Sequence, residues 1–176
     1  MWTDQIETAL RSDSVTRPVF GGVFPCDQLP RSLPEGKRLF VANTDPAGKS
    51  GQHWVAFYFH PEGGCTYFDS YGLEPVKEEF IDFMEEHATY WTWNSKRLQH
   101  PRSTLCGHYC IFFGVHICRG ATMEKIASMF DVNKRFNDIM VADFVEHYFD
   151  IGATPPTTSM SCSQTCCSGM ENFNYV

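Results

Sequence analysis

Cys106 is the residue whose surroundings point most directly to covalent chemistry. It stands between a loop broken by Pro101 and an apolar run from Cys106 to Cys118 that reads as a buried helix, so its thiol falls at a helix N-terminus. There the unpaired N–H groups and the positive end of the helix dipole favour a thiolate, the form that attacks carbonyl carbon. Gly107 follows directly, letting a substrate approach the backbone and offering an N–H to a developing oxyanion. A thiol nucleophile also needs a base within hydrogen-bond reach and a third group to hold that base's tautomer. Of the seven histidines, six lie at turns, on helix surfaces or within the apolar helix, whereas His53 opens an apolar strand after a Gly-rich turn. Its ring can stand at the sheet edge while Trp54 points the other way. Asp69 ends the next apolar segment, and pairing of the two strands would set its carboxylate beside the imidazole. Gln99, seven residues before Cys106, can supply a side-chain amide N–H as a second oxyanion donor. A Cys beside a Gly arises often by chance, and His53 with Asp69 also reads as a plain surface pair. It is the whole set, in order, that suggests nucleophilic catalysis.

The elements that must position these groups follow from periodicity. Ile6 and Leu10 predict a short helix over Gln5 to Leu10, capped by Thr3 or Asp4 and packing as an N-terminal flap. Phe20 to Pro34 holds Gly21, Gly22, Pro25, Pro30 and Pro34, and is read as an ordered loop. Leu39 to Asn43 and His53 to His60 read as strands, the second apolar on both faces and therefore central. Pro61 to Gly64 is a tight turn that returns the chain as a third strand, Cys65 to Ser70, making a hairpin. A helix is predicted from Pro75 to about His87, and Tyr90 to Gln99 is aromatic and β-prone. After the buried helix, Thr122 to Phe130 and Asn133 to Phe149 read as core helices, the latter with Phe136, Met140, Val141, Phe144, Val145, Tyr148 and Phe149 on one stripe. The fold class is α+β: a small mixed central β-sheet flanked by helices, with the nucleophile at the N-terminus of a buried helix.

Composition narrows the function classes. The chain has 176 residues with 43% hydrophobic and 15% aromatic side chains, enough for one domain with its own core. Residues 1–150 are expected to form that domain and 151–176 a flexible tail rich in Ser, Thr and Cys. A net charge of −7 without a Lys/Arg run argues against nucleic acid as the main ligand. No apolar stretch is long enough to span a membrane, and Met1 to Ser12 lacks the apolar core of a signal peptide, so the expectation is a soluble, intracellular protein and a monomer. Eight unevenly spaced cysteines in a chain of this size do not suggest a disulfide scaffold. Cys162, Cys166 and Cys167 read as part of a disordered tail, with a redox or peptide-tethering element as the alternative; no nearby His completes a zinc set. Neither a metal nor another cofactor has a motif.

In order and spacing, GQHWVAFYF (Gly51 to Phe59), CTYFDSYG (Cys65 to Gly72) and LQHPRSTLCGHYCIFF (Leu98 to Phe113) resemble the adenovirus endopeptidase (adenain) and the related SUMO-specific proteases of the Ulp type. FVANT (Phe40 to Thr44) and FGGVFPCDQLP (Phe20 to Pro30) resemble the adenain branch, so the resemblance spans roughly residues 5 to 150. The adenain branch usually has Glu where this chain has Asp69 and the SUMO-protease branch has Asp, so the acid position does not decide between them; Cys110 leans to adenain. The resemblance implies that His53 is the general base, Asp69 its orienting acid, Gln99 the oxyanion donor and Cys106 the nucleophile, with Trp54 walling the site. Relatives of this kind are encoded by adenoviruses, large DNA viruses and virus-like Polinton transposons. It further implies a thiol endopeptidase cutting after Gly in Gly-Gly or Gly-X sites of viral structural precursors, located in the host nucleus or virion if viral. Adenain is basic and is activated by a viral peptide and DNA; a peptide activator stays open for this acidic chain, whereas DNA stimulation does not fit its charge. Gly21 and Gly22 beside Trp54 and Gly107 suggest a narrow, Gly-selective tunnel. The alternatives are a protease that removes SUMO or another ubiquitin-like modifier, and a non-catalytic module that binds Gly tails. Papain-type hydrolases place Cys before His, opposite to the order here.

Overall fold

The computed structural model describes residues 1–149; the expected tail, with Cys162, Cys166 and Cys167, lies outside the described residues. Five strands form one sheet in chain order: β1 (Phe20–Pro25), β2 (Leu39–Asn43), β3 (Trp54–Phe59), β4 (Gly64–Phe68) and β5 (Tyr90–Trp93). The outer pairs β1·β2 and β4·β5 are parallel, and the inner pairs β2·β3 and β3·β4 are antiparallel. The helices are α1 (Thr3–Ser12), α2 (Glu78–His87), α3 (Cys106–Cys118), α4 (Met123–Ser128) and α5 (Lys134–Phe149).

Alternation along the strands builds two cores. Leu39 and Val41 of β2, Ala56 of β3 and Phe68 of β4 face α1, α3 and α5, while their neighbours Phe40, Ala42, Val55, Phe57 and Tyr67 face α2. On the α2 side Phe83 meets Phe40, Phe57 and Phe59 edge-on at 5.2 to 5.5 Å between centroids. On the other side α3 is apolar all round because β3, α1 and α5 surround it. Gly114 permits the close approach of α3: a Cβ there would lie 2.9 Å from Leu39 and 3.2 Å from Leu10. Asp13 then ties the far end of α3 down, since its carboxylate takes an ion pair from Arg119 at 2.5 Å and the N–H groups of Val15 and Thr16.

The sheet is mixed and its central strand and hairpin stand where the sequence puts them. Four local expectations are corrected. The N-terminal helix is no flap, for Ile6, Ala9 and Leu10 are buried in the core, and Trp2 rather than Thr3 or Asp4 occupies its cap position. The segment read as a loop over Phe20 to Pro34 contains β1, where Gly21 sits at a register shift and would strike the Phe40 ring at 2.1 Å if it carried a Cβ. Pro75 and Val76 precede α2 instead of starting it, with Val76 wholly outside the core. The stripe on α5 is only partly inward: Val141 and Val145 are buried, but Phe136 and Tyr148 are exposed.

One backbone contact fixes the turn after β4. Gly72 has φ +71°, and a Cβ there would lie 2.6 Å from the carbonyl carbon of Lys96. The adjoining Ser70 carbonyl accepts the N–H groups of Leu98 and Gln99 at 2.9 and 3.0 Å. Gly72→Ala meets both a left-handed backbone and a main-chain clash, so it is expected to destabilise the fold by about 2 kcal/mol or more, read as a lowered denaturation midpoint in urea.

Candidate active site

Three elements converge at the N-terminal end of α3. His53 immediately precedes β3, Asp69 immediately follows β4, and the antiparallel register that pairs Ala56 with Phe68 brings them together. His53 Nε2 lies 3.0 Å from Asp69 Oδ1. The other ring nitrogen is thereby left for Cys106, whose sulfur interacts with the imidazole. Cys106 is the first residue of α3 and 8% exposed. The preceding Leu105 has no side chain that could cap the helix, so the first-turn N–H groups stay open toward the sulfur.

The electrostatics follow from that placement. Burial opposes charge on both partners, but at Cys106 it is outweighed by the bond from His53, the imidazolium charge and the N–H groups of Trp54 and Gly107, so the thiol falls below its usual 9.0. At His53 burial is likewise outweighed, by the Asp69 carboxylate and the Cys106 sulfur, which raise the imidazole from 6.5 to about 9. Between the two protonation steps the pair exists as thiolate and imidazolium. Burial drives Cys65, Cys110 and Cys118 the opposite way, Cys118 to about 12, and Cys26 is also raised. Among the described residues Cys106 is the one thiol held below its ordinary value.

Asp69 is 3% exposed and is held from several sides. Its N–H donates to Asn94 Oδ1 at 2.8 Å, Asn94 Nδ2 donates to its carbonyl at 2.6 Å, and the Tyr71 N–H donates to Oδ1 at 2.7 Å. Gln99 is fully buried in the loop after β5; its Oε1 accepts from Ser70 Oγ at 2.5 Å, and Nε2 donates to the Ser103 carbonyl at 2.9 Å. That leaves one Nε2 hydrogen without a partner among the described residues; Gln99 does not line the groove beside Cys106 and makes no hydrogen bond to it. Asn137 and Asp138 of α5 steady this loop, Asn137 Nδ2 on the Leu98 carbonyl at 3.0 Å and Asp138 Oδ1 on the His100 N–H at 3.3 Å.

A groove of about 550 Å³ opens beside the thiol. Trp54 forms one wall, and its indole N–H donates to the Met1 carbonyl at 3.3 Å. The remaining walls are Met1 to Thr3, Val23 to Pro25 and the turn residues 45–52. Gly21 and Gly22 are not among them: they pack on Phe40 and Phe24 one step earlier in β1, and the expected tunnel wall is corrected to Val23 to Pro25. Gly107 lies under Met1, where a Cβ would stand 3.0 Å from the sulfur, so its small size serves packing as well as its N–H. Asn94, Ser70, Tyr71 and the α1 wall escape a sequence reading because their partners lie far along the chain; the buried Asn and Ser beside the Asp69 motif are the only sequence trace.

No family model matches the chain. It is 29% identical over 125 residues to a SUMO-1 cysteine protease of African swine fever virus, covering 63% of this chain and 43% of that protein. The chain thus spans less than half the length of that relative. A stretch of 118 residues is 30% identical to lysophosphatidylcholine acyltransferase 2 of Danio rerio, covering 56% of this chain and 21% of that protein. Among solved structures, a selenomethionine crystal form of the African swine fever virus protease superposes with a TM-score of 0.61 at 20% identity, covering 86% of this chain and 68% of the other. The fold is therefore that of a viral cysteine protease.

The ion pair predicts a reactivity profile. Iodoacetamide should alkylate Cys106 rapidly at pH 7, slowing as pH falls below the depressed thiol pKa and the sulfur is protonated. In His53→Ala the thiol loses its main charge partner, and the rate at pH 7 should drop about tenfold or more, measured on the Cys106 peptide by mass spectrometry.

Proposed function

We propose that the chain is a cysteine protease that hydrolyses peptide bonds after Gly, with Cys106 as nucleophile, His53 as general acid and base and Asp69 as its orienting group. The observation that carries this reading is the placement of Cys106 at the head of α3 beside an imidazole that is anchored at 3.0 Å on a buried carboxyl. The thiolate attacks the carbonyl carbon, and the electron pair moves to oxygen, where the free Gln99 N–H and backbone N–H groups of the first turn receive it. His53 then gives its proton to the leaving amine as the C–N bond breaks, leaving a thioester. Water, deprotonated by the same imidazole, hydrolyses the thioester and regenerates thiolate and imidazolium. The resemblance to adenain supports structural precursor proteins as substrates, met in the host nucleus or in the virion, and a relative encoded by African swine fever virus fits a viral setting. The FVANT and FGGVFPCDQLP segments support the adenain branch, and with it a peptide activator.

A second reading, removal of a ubiquitin-like modifier, is favoured by the name of the relative, a SUMO-1 protease. The chemistry is shared, so substrates separate the two: a fluorogenic Gly-Gly peptide and precursor-type peptides against SUMO and ubiquitin fusions. Cys106→Ala and His53→Ala should each reduce turnover to background with the fold intact, which a non-catalytic Gly-tail binder would not show. Gln99→Ala is expected to lower kcat by about 10² to 10³ with KM little changed. A pure KM effect would move Gln99 to substrate binding.

Selectivity at the residue before the cut rests on Trp54, whose indole is pinned by Met1 beside the thiol. A Cβ on that substrate residue would meet the indole, so a peptide library should return Gly there. Equal acceptance of Leu, Phe or Lys would remove the Gly-selective part of the proposal.

A further inference from the structure

Tyr71 touches His53, Asp69 and the loop before Cys106 without belonging to the triad. Its ring lies against the His53 imidazole, with centroids 5.0 Å apart and planes inclined at 31°. Its N–H donates to Asp69 Oδ1 at 2.7 Å, the same oxygen that holds His53 Nε2. Its hydroxyl donates to the Ser103 carbonyl at 3.0 Å, and that carbonyl also receives Gln99 Nε2, three residues before the nucleophile. One residue therefore spans base, acid and the loop that leads to Cys106. Positive φ at the neighbouring Gly72 and the Ser70 carbonyl bonds to Leu98 and Gln99 hold Tyr71 in this place.

We infer that Tyr71 is a positioning residue whose aromatic face stabilises the His53 imidazolium and whose hydroxyl sets the distance between the His53–Asp69 pair and the nucleophile loop. The inference rests on the thiolate–imidazolium reading of the site. Protonation adds a cation–π attraction that the neutral imidazole lacks, so the ring acts on the charged state of the pair and not merely on its location. The other groups facing His53 are Asp69 and the Cys106 sulfur, both of which favour its charge. Beyond the ring stands Arg97, with its guanidinium carbon 5.9 Å from the Tyr71 centroid, a second cation drawing on the same π system.

The test separates ring from hydroxyl. Tyr71→Leu and Tyr71→Met keep apolar cover over the imidazole and so leave its dehydration in place, but remove the π face. Tyr71→Phe keeps the face and removes the hydroxyl. Alkylation of Cys106 by iodoacetamide against pH reads the ion pair with no substrate present. In both ring-free variants the alkaline step, where His53 gives up its proton, should move down by about half to one pH unit. Tyr71→Phe should leave that step in place but lower kcat on a Gly-Gly peptide by about threefold to tenfold at constant KM, as expected when orientation is loosened. An alkaline step unmoved in folded Tyr71→Leu or Tyr71→Met overturns the ring's role, and an unchanged kcat in Tyr71→Phe overturns the hydroxyl's. Wild-type protein that shows the two-step alkylation profile but cuts no peptide would sink the protease reading alone, leaving the ring's effect on the pair to be judged by the variants.

Discussion

A buried carboxyl is the constraint around which this site is arranged. Asp69 has 3% of its surface in water, and an acid taken so far from solvent costs several kcal/mol unless donors replace the water it loses. The donors come from separate parts of the chain: the His53 ring from the start of β3, and the Tyr71 N–H from the turn after β4. Asn94, just past β5, binds the Asp69 main chain on both its N–H and its carbonyl. Its side-chain amide extends the β4·β5 ladder by one step where the backbone of β5 has already left the sheet. The short parallel edge strand β5 thus serves the acid it never touches, by delivering Asn94 to it.

From that anchor the rest of the geometry follows as a chain of orientations. Asp69 holds His53 Nε2, which turns the other nitrogen toward Cys106. The loop joining β5 to α3 is stitched to the Asp69 turn by the Ser70 carbonyl and the Ser70 hydroxyl, so Cys106 and Asp69 share one framework. Asn137 and Asp138, on a helix that otherwise looks like core, fasten the far side of the same loop. A position that reads as an interruption of the α5 apolar stripe is in fact a fully buried amide holding a carbonyl next to Gln99.

What could be read from the sequence divides along the range of the interactions. The β3–β4 hairpin and α3 were legible because their signals are local: alternation over six residues, a Pro-Glu-Gly-Gly turn and an uninterrupted apolar run. His53, Asp69 and Cys106 were legible with them, since each sits at an element boundary. β1 was not, because its glycines look like loop residues until Phe40 occupies the space a side chain would need. The groove walls were not either, as Met1 to Thr3, Val23 to Pro25 and 45–52 meet only once the sheet is assembled. Asn94 and Ser70 act across 25 and 29 residues, a separation at which periodicity carries no signal.

The cysteines show why residue type alone would have been a poor guide. Cys110 lies one helical turn beyond Cys106, on the same helix and fully buried, yet its thiol is pushed well above the usual value by burial and by the charges of Cys106 and Asp69. Only the first position of α3 combines open N–H groups with an imidazole in contact; one turn later the N–H groups are inside the helix and the neighbours are apolar. The carboxyl that anchors the base of one sulfur, together with the charge on that sulfur, therefore suppresses the next. An anion at a helix N-terminus is stabilised there and, by repulsion through a low-dielectric core, disfavours a second anion behind it. In this fold the selectivity for a single thiolate is a consequence of where the helix begins.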